Sequence, residues 1–357
     1  MPKPPPGRNY SPWAHFALRL SGLVDEDPCP VDDLVAYPAW RERFAARFRD
    51  LLGPLPDPVP LNVETLDTTD CGSYLRHHVV YDSEATMSVP AYLLIPKARD
   101  SAPPGPAILA QHGHGPGKDQ ICGIPTPGHV PDDPNEQLGI DYAHQLAERG
   151  YVVLAPDLRT FGERKDWNPP ENYACNLTSV HLAMFGVNLL ALDLWDLARG
   201  LDLLAAHPLV DPDRIGMVGL SQGGTCTLFL SAWDARIKAA VVSGYFNSWR
   251  DCARIPWNMC GSQVLYGMLG QMDHLDLGAL IAPRPLLIES GTRDMIFPTE
   301  TTQREHARLS VLYAGLGVPD RLALDVYDGG HRWHGELAYP FLERWLGSSS
   351  EADPGSR

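Results

Sequence analysis

The sequence lacks an uninterrupted apolar run long enough to cross a bilayer. Its most leucine-rich stretch, residues 189–206, is broken by Asp193, Asp196, Arg199 and Asp202, charges that are costly in hydrocarbon. No membrane span is expected. No apolar stretch follows the proline-rich residues 2–8 either, so no secretory leader is read and a cytoplasmic location is expected. Basic charge is scarce: 29 Lys and Arg against 44 Asp and Glu leave a formal net charge of −15. Such a field repels phosphate backbones and anionic lipid, which disfavours nucleic acid and membranes as partners. The seven cysteines (29, 71, 122, 175, 226, 252 and 260) are scattered and form no C-x-x-C pair. Reduced thiols and no cysteine zinc site are expected, with Cys252–Cys260 the only pairing considered. There is no internal repeat.

What is present is ample core material. Of 357 residues, 44% are hydrophobic and 20% charged, too little charge for a disordered chain. Residues 2–70 are rich in proline and aromatics and hold one helix at 38–52, with Trp40, Phe44, Phe48 and Leu51 on one face. This segment is expected to be an N-terminal helical extension, residues 1–70. From residue 71 to 346 short β-prone runs alternate with helices, the pattern of an α/β fold whose mainly parallel sheet carries helices on both faces. Eight strands are predicted, at 74–81, 89–96, 107–111, 151–155, 215–219, 239–243, 285–290 and 322–327. Helices are predicted at 141–149, 189–207, 222–233, 299–314 and 336–346, the second with a stripe of Leu190, Leu194, Leu197, Leu201 and Leu204. Three insertions, 116–135, 161–186 and 245–278, should form loops over one rim, and the polar tail 347–357 should be disordered.

The chemistry concentrates at Gly219-Leu220-Ser221-Gln222-Gly223, between a predicted strand and a helix. In a G-x-S-x-G elbow the serine sits on a tight turn with its hydroxyl above the sheet, and the flanking glycines relieve crowding. A serine hydroxyl is a weak nucleophile, so it needs a base within reach and a group to orient that base. Asp294 follows the strand 285–290, and His331 follows Gly329-Gly330 after the strand 322–327, giving the order Ser, Asp, His. Glu289, Glu300, Asp325 and Asp328 are the rival acids and His334 the rival base. His112-Gly113-His114-Gly115 follows the strand 107–111, where backbone N–H groups of His114 and of Gln222 would form an oxyanion hole. Two histidines at i, i+2 with no visible third and fourth ligand do not read as a metal site.

These segments, with Val89–Pro96, Ala155–Arg159 and Ala282–Ile288, resemble the α/β-hydrolase superfamily, and within it the dienelactone-hydrolase-like and acetyl-xylan-esterase-like bacterial esterases. The resemblance spans about residues 74–346. It implies a cofactor-independent serine hydrolase with Ser221, Asp294 and His331 as triad. Dienelactone hydrolases use a cysteine nucleophile where this sequence has Ser221, so that activity is not carried over. The acetyl-xylan-like branch usually carries an arginine-glycine signature that is not placed in this sequence, and no family match is named for the first 70 residues.

Cleavage of carboxylic esters through an acyl-enzyme is the expected function. The alternatives are peptide or amide hydrolysis by the same triad and a non-catalytic binding protein of this fold. Arg159, Trp249, Trp257 and Trp333 are candidate substrate contacts, with a local ion pair from Asp157 to Arg159 as the plainer reading. Aromatics and the asparagines 172, 176, 247 and 258 in the rim loops suggest a polar roof suited to a short acyl group on a polar, sugar-like alcohol. The expected partner is a small ester, with homo-oligomerisation left open and no cofactor required.

Overall fold

The structure, a computed structural model, describes residues 7–99, 102–126, 139–166, 174–255 and 258–347. It is an α/β fold with nine strands in the order β1-β2-β3-β5-β4-β6-β7-β8-β9. The strands are β1 (Glu64–Asp70), β2 (Tyr74–Glu84), β3 (Met87–Pro96), β4 (Gly105–Gln111), β5 (Val152–Pro156), β6 (Val210–Leu220), β7 (Ile237–Ser243), β8 (Leu286–Gly291) and β9 (Leu322–Tyr327). From β5 across to β9 every neighbouring pair is parallel, and β1, β2 and β3 add an antiparallel edge. All eight predicted strands are present.

The additional strand is β1. All seven of its residues are exposed, so it is held by its ladder to β2 and leaves no alternating hydrophobic signal. It belongs to the sheet although it lies before residue 71.

The helices are α1 (Pro12–Ser21), α2 (Tyr37–Leu52), α3 (Lys118–Ile121), α4 (Tyr142–Glu148), α5 (Ala174–Ala183), α6 (Leu189–Ala206), α7 (Gln222–Trp233), α8 (Trp249–Cys252), α9 (His274–Ile281), α10 (Thr299–Gly315) and α11 (Ala338–Leu346). None of those described is long and apolar enough to cross a membrane. Side chains alternate across β4, where Ala107 and Leu109 face one core and Ile108 and Ala110 the other. The leucine stripe of α6 packs in the first core together with Trp40, Phe44 and Phe48 of α2. Tyr37 donates its hydroxyl to the Ala279 carbonyl, so α2 is sewn to α9 at the back of the sheet. Tyr142 and Leu146 of α4 and Leu342 and Leu346 of α11 fill the second core.

Three stretches read as loops contain helices. α9 is capped by Asp273, whose carboxylate accepts the His274 amide and forms a capping box with Asp276. α5 and α8 likewise interrupt the insertions 161–186 and 245–278. Residues 127–135 of the insertion 116–135, with His129, and all of the tail but residue 347 lie outside the described residues.

Candidate active site

Strand β6 ends at Leu220 and α7 begins at Gln222, leaving Ser221 alone in the turn with φ 60° and ψ −116°. A non-glycine residue in that region costs roughly 1–3 kcal/mol and persists only where its surroundings hold it. They do: the Ser221 amide donates to the Ser243 carbonyl at the end of β7 (3.0 Å), and the Ser221 carbonyl accepts from Thr225 (2.8 Å). The flanking glycines are required by space. A Cβ on Gly219 would lie 2.4 Å from the Gly223 carbonyl, and one on Gly223 would lie 2.1 Å from the Gln111 oxygen. The elbow is therefore wedged against the exit of β4.

Asp294 follows β8 and is almost fully buried. One carboxylate oxygen accepts the Ile296 and Phe297 amides (2.8 and 3.0 Å), and the other meets His331 Nδ1 at 2.8 Å. The His331 ring lies against Gly244, where an added Cβ would sit 3.0 Å from Cε1. Gly244 directly follows Ser243, the residue that holds the Ser221 amide. The ends of β6, β7, β8 and β9 thus bring the three sequence-selected residues to one place on the rim.

His112 is fully buried, and burial holds its imidazole below the usual pKa. The neutral ring donates from Nδ1 to the Gly113 carbonyl (2.7 Å) and accepts the Leu158 amide at Nε2 (3.0 Å), tying the exit of β4 to that of β5. Its neighbour His114 is exposed. Gln222 is the first residue of α7, so its amide has no acceptor within the helix. Among the described residues no backbone carbonyl accepts from either the His114 or the Gln222 amide.

A second cluster braces the same rim. Asp157, after β5, accepts the Lys118 amide (2.7 Å), Lys118 Nζ (2.9 Å) and the Glu163 amide (3.0 Å), and Lys118 also pairs with Glu163. Burial pulls the Lys118 ammonium down in pKa, but Asp157 and Glu163 outweigh it and hold it above its ordinary value. Gly117 and Gly162 clasp the acid, since a Cβ on either would come within 2.3 Å of its oxygens. Sequence reasoning missed Lys118, and its only signal was a lone lysine between two glycine-bearing turns.

The candidate substrate contacts are placed differently. Arg159 makes a bidentate bond to Asp196 of α6 (2.8 and 2.9 Å) and a further bond to Glu84 (2.6 Å), so it is a buried structural cation whose partner is not Asp157. Trp249 is 1% exposed, its ring edge on His274 and its indole N–H on Met268 Sδ, and Trp333 is wholly buried on Tyr142. Neither indole offers surface to a ligand. Trp257 lies outside the described residues, as do Trp167, Tyr173 and Asn172. The remaining asparagines do not line a polar roof. Asn247 is spent on Pro298 and Thr302, Asn258 on the Cys252 and Ile296 carbonyls, and Asn176 on the Gly261 amide.

The expectation that His114 has no further ligands nearby is also corrected. Its Nε2 lies 3.0 Å from Cys260 Sγ, and Cys175 completes a group whose ligand atoms all fall within 4.8 Å of one another. All seven cysteines are free thiols.

A parallel sheet with a serine elbow, an acid after one strand and a histidine after the next defines an α/β-hydrolase. Residues 136–311 match the model of the Dienelactone hydrolase family. Over 334 residues the chain is 29% identical to "Putative hydrolase YtaP" of Bacillus subtilis (strain 168), covering 85% of this chain and 99% of that protein. Among solved structures it is similar to a putative acetyl xylan esterase of Bacteroides fragilis NCTC 9343, with TM-score 0.75 and 20% identity over 90% of this chain and 83% of that one. It is also similar to a glucuronoyl esterase from Solibacter usitatus, with TM-score 0.63 and 17% identity over 90% and 95% of the two chains. At these identities the structural likeness speaks for the fold.

Proposed function

We propose that the chain is a serine esterase in which Ser221 attacks the ester carbonyl, His331 is the general base and Asp294 orients it. The observation that carries this reading is the 2.8 Å contact between His331 Nδ1 and Asp294, made by a ring that lies against the loop holding the Ser221 amide. With Nδ1–H committed to the carboxylate, proton transfer falls to Nε2. Nε2 takes the Ser221 proton as the hydroxyl oxygen bonds to carbon, then returns it to the departing alcohol, leaving an acyl-serine. Water repeats the cycle and releases the acid. The amides of His114 and Gln222 receive the oxyanion, each worth about 3 kcal/mol of transition-state stabilisation.

A short acyl group on a polar alcohol is the substrate this reading favours. Support comes from crowding at the oxyanion turn, where the Phe161 ring stands 5.5 Å from that of His114 and Cys260 sulfur closes the other side. The solved relatives named as carbohydrate esterases point the same way. Seven free thiols fit a reducing compartment, the cytoplasm.

A fluorophosphonate probe should label Ser221 in peptide mass mapping, and Ser221→Ala should lose the label and turnover while melting as wild type does. Labelling elsewhere, or retention of activity within about tenfold, would reject the nucleophile. Across aryl esters kcat/KM should fall from acetyl to octanoyl. A steady rise with chain length would turn the reading toward lipid-like substrates.

A further inference from the structure

Three soft or borderline ligand atoms converge beside the oxyanion turn: His114 Nε2, Cys175 Sγ and Cys260 Sγ, all within 4.8 Å of one another. They come from three separate parts of the chain, the turn after β4, the first turn of α5 and the segment before residue 261. A tetrahedral zinc ion, with bonds of about 2.3 Å to sulfur and 2.0 Å to nitrogen, needs its ligands roughly 3.5–3.8 Å apart, within an ångström of this arrangement.

The surroundings hold the donors in place. Asn176, next to Cys175, accepts the Gly261 amide (2.8 Å), next to Cys260, so the two cysteine segments are pinned together. Tyr266 ties the same pair of segments by donating to the Ser179 carbonyl (2.9 Å). Ser262 Oγ lies 2.8 Å from the Cys260 sulfur, the place of an outer hydrogen bond to a metal-bound thiolate. Gln222 then links this unit to the serine elbow through the Ser262 carbonyl (2.6 Å). His114 is exposed, which gives a cation its entry path.

We infer that His114, Cys175 and Cys260 form a binding site for a thiophilic divalent cation, zinc first among them. Binding displaces two thiol protons to solvent and forms two sulfur–zinc bonds and one nitrogen–zinc bond. The ion does no step of ester cleavage. A disulfide between the cysteines would leave the imbricated histidine without a role, whereas a cation uses all three groups. The consequence for catalysis, that zinc would fix the turn carrying a proposed oxyanion donor, rests on the esterase reading; the binding itself does not.

The test is metal uptake by the full chain, prepared reduced and metal-free. One equivalent of zinc should bind per chain, and cobalt in its place should give a thiolate-to-metal charge-transfer band. Cys175→Ser and Cys260→Ser should each weaken binding by about 100-fold or more, and Ser262→Ala by about tenfold. X-ray absorption on zinc-loaded wild type should read two sulfur ligands and one imidazole, a measurement that needs no variant to fold. No uptake by the reduced protein, coordination by oxygen and nitrogen only, or wild-type affinity in both cysteine variants would overturn the site. So would a disulfide in the isolated protein followed by no uptake after reduction. None of these readouts depends on turnover, so failure of the esterase reading leaves the metal result standing on its own.

Discussion

Two histidine–carboxylate pairs stand three residues apart on the loop after β9, and they are nearly identical in bond length. His331 meets Asp294 at 2.8 Å and His334 meets Asp325 at 2.7 Å. Their side chains are also similarly sheltered, 13% and 12% exposed for the two rings. What differs is where each ring is held. His331 lies against Gly244, beside the Ser221 turn, and its acid is fixed by two backbone amides on the loop after β8. His334 stacks on Tyr327, its amide leans on Glu289 inside β8, and its acid sits within the edge strand β9. A short imidazole–carboxylate bond is therefore no signature of catalysis. Under the proposed reading, position relative to the elbow tells the two rings apart.

The comparison breaks most easily at the bases. His331→Ala should lower kcat on an aryl acetate by about a millionfold, with His334→Ala within about threefold of wild type. Reversed effects in a side-by-side assay would make His334 the base. The acids sharpen it next: Asp294→Asn should cost about 10⁴ in kcat, because the amide favours the wrong imidazole tautomer. Asp325→Asn should instead cost about 1–3 kcal/mol of stability through its lost charge-assisted bond and leave kcat nearly unchanged, as denaturant unfolding alongside kinetics would show.

The smallest effect concerns a carboxyl with no histidine at all. Burial and the neighbouring Asp196 carboxylate push Asp193 up to about 8. In an unfolded chain the group titrates near 4, so between about pH 4 and pH 8 the native state keeps a proton that the unfolded state has lost. Stability should fall as pH rises through that window. Asp193→Asn keeps an oxygen for the Arg159 amide, now 2.9 Å away, and should melt like wild type at pH 3.5 and above it at pH 8.5. Matching melting curves at both pH values would refute the neutral carboxyl.

The strands from β4 to β9 were legible because buried parallel strands are continuous apolar runs bounded by turns, and β2 and β3 because they are β-prone runs with buried positions. β1 was not, since Glu64–Asp70 reads as polar linker and is held only by its neighbour. The elbow was legible because its glycines answer a local steric demand. The tryptophan contacts were not: an indole suits a pocket wall and a core equally, and only packing separates Trp249 or Trp333 from a ligand surface. Arg159 failed for a related reason. Its partner Asp196 lies on α6, where the sequence shows only a charge interrupting leucines. Distance along the chain likewise hid the cysteines that approach His114.

The clasp around Asp157 bears on how the mouth of the site can move. Lys118 reaches across from the turn after β4 with two bonds to Asp157 and one to Glu163, in a place where Lys118 and Asp157 are cut off from water. Hydrogen bonds to buried charged groups are worth about 1.5–3 kcal/mol each. Sliding one turn past the other would break all three together, and the two to buried Asp157 would have nothing to replace them. On the microsecond-to-millisecond timescale of loop opening these two turns therefore travel as one rigid piece. Any breathing that admits substrate has to be carried by the far side of the rim, where the chain between β7 and α9 is built from short helical turns.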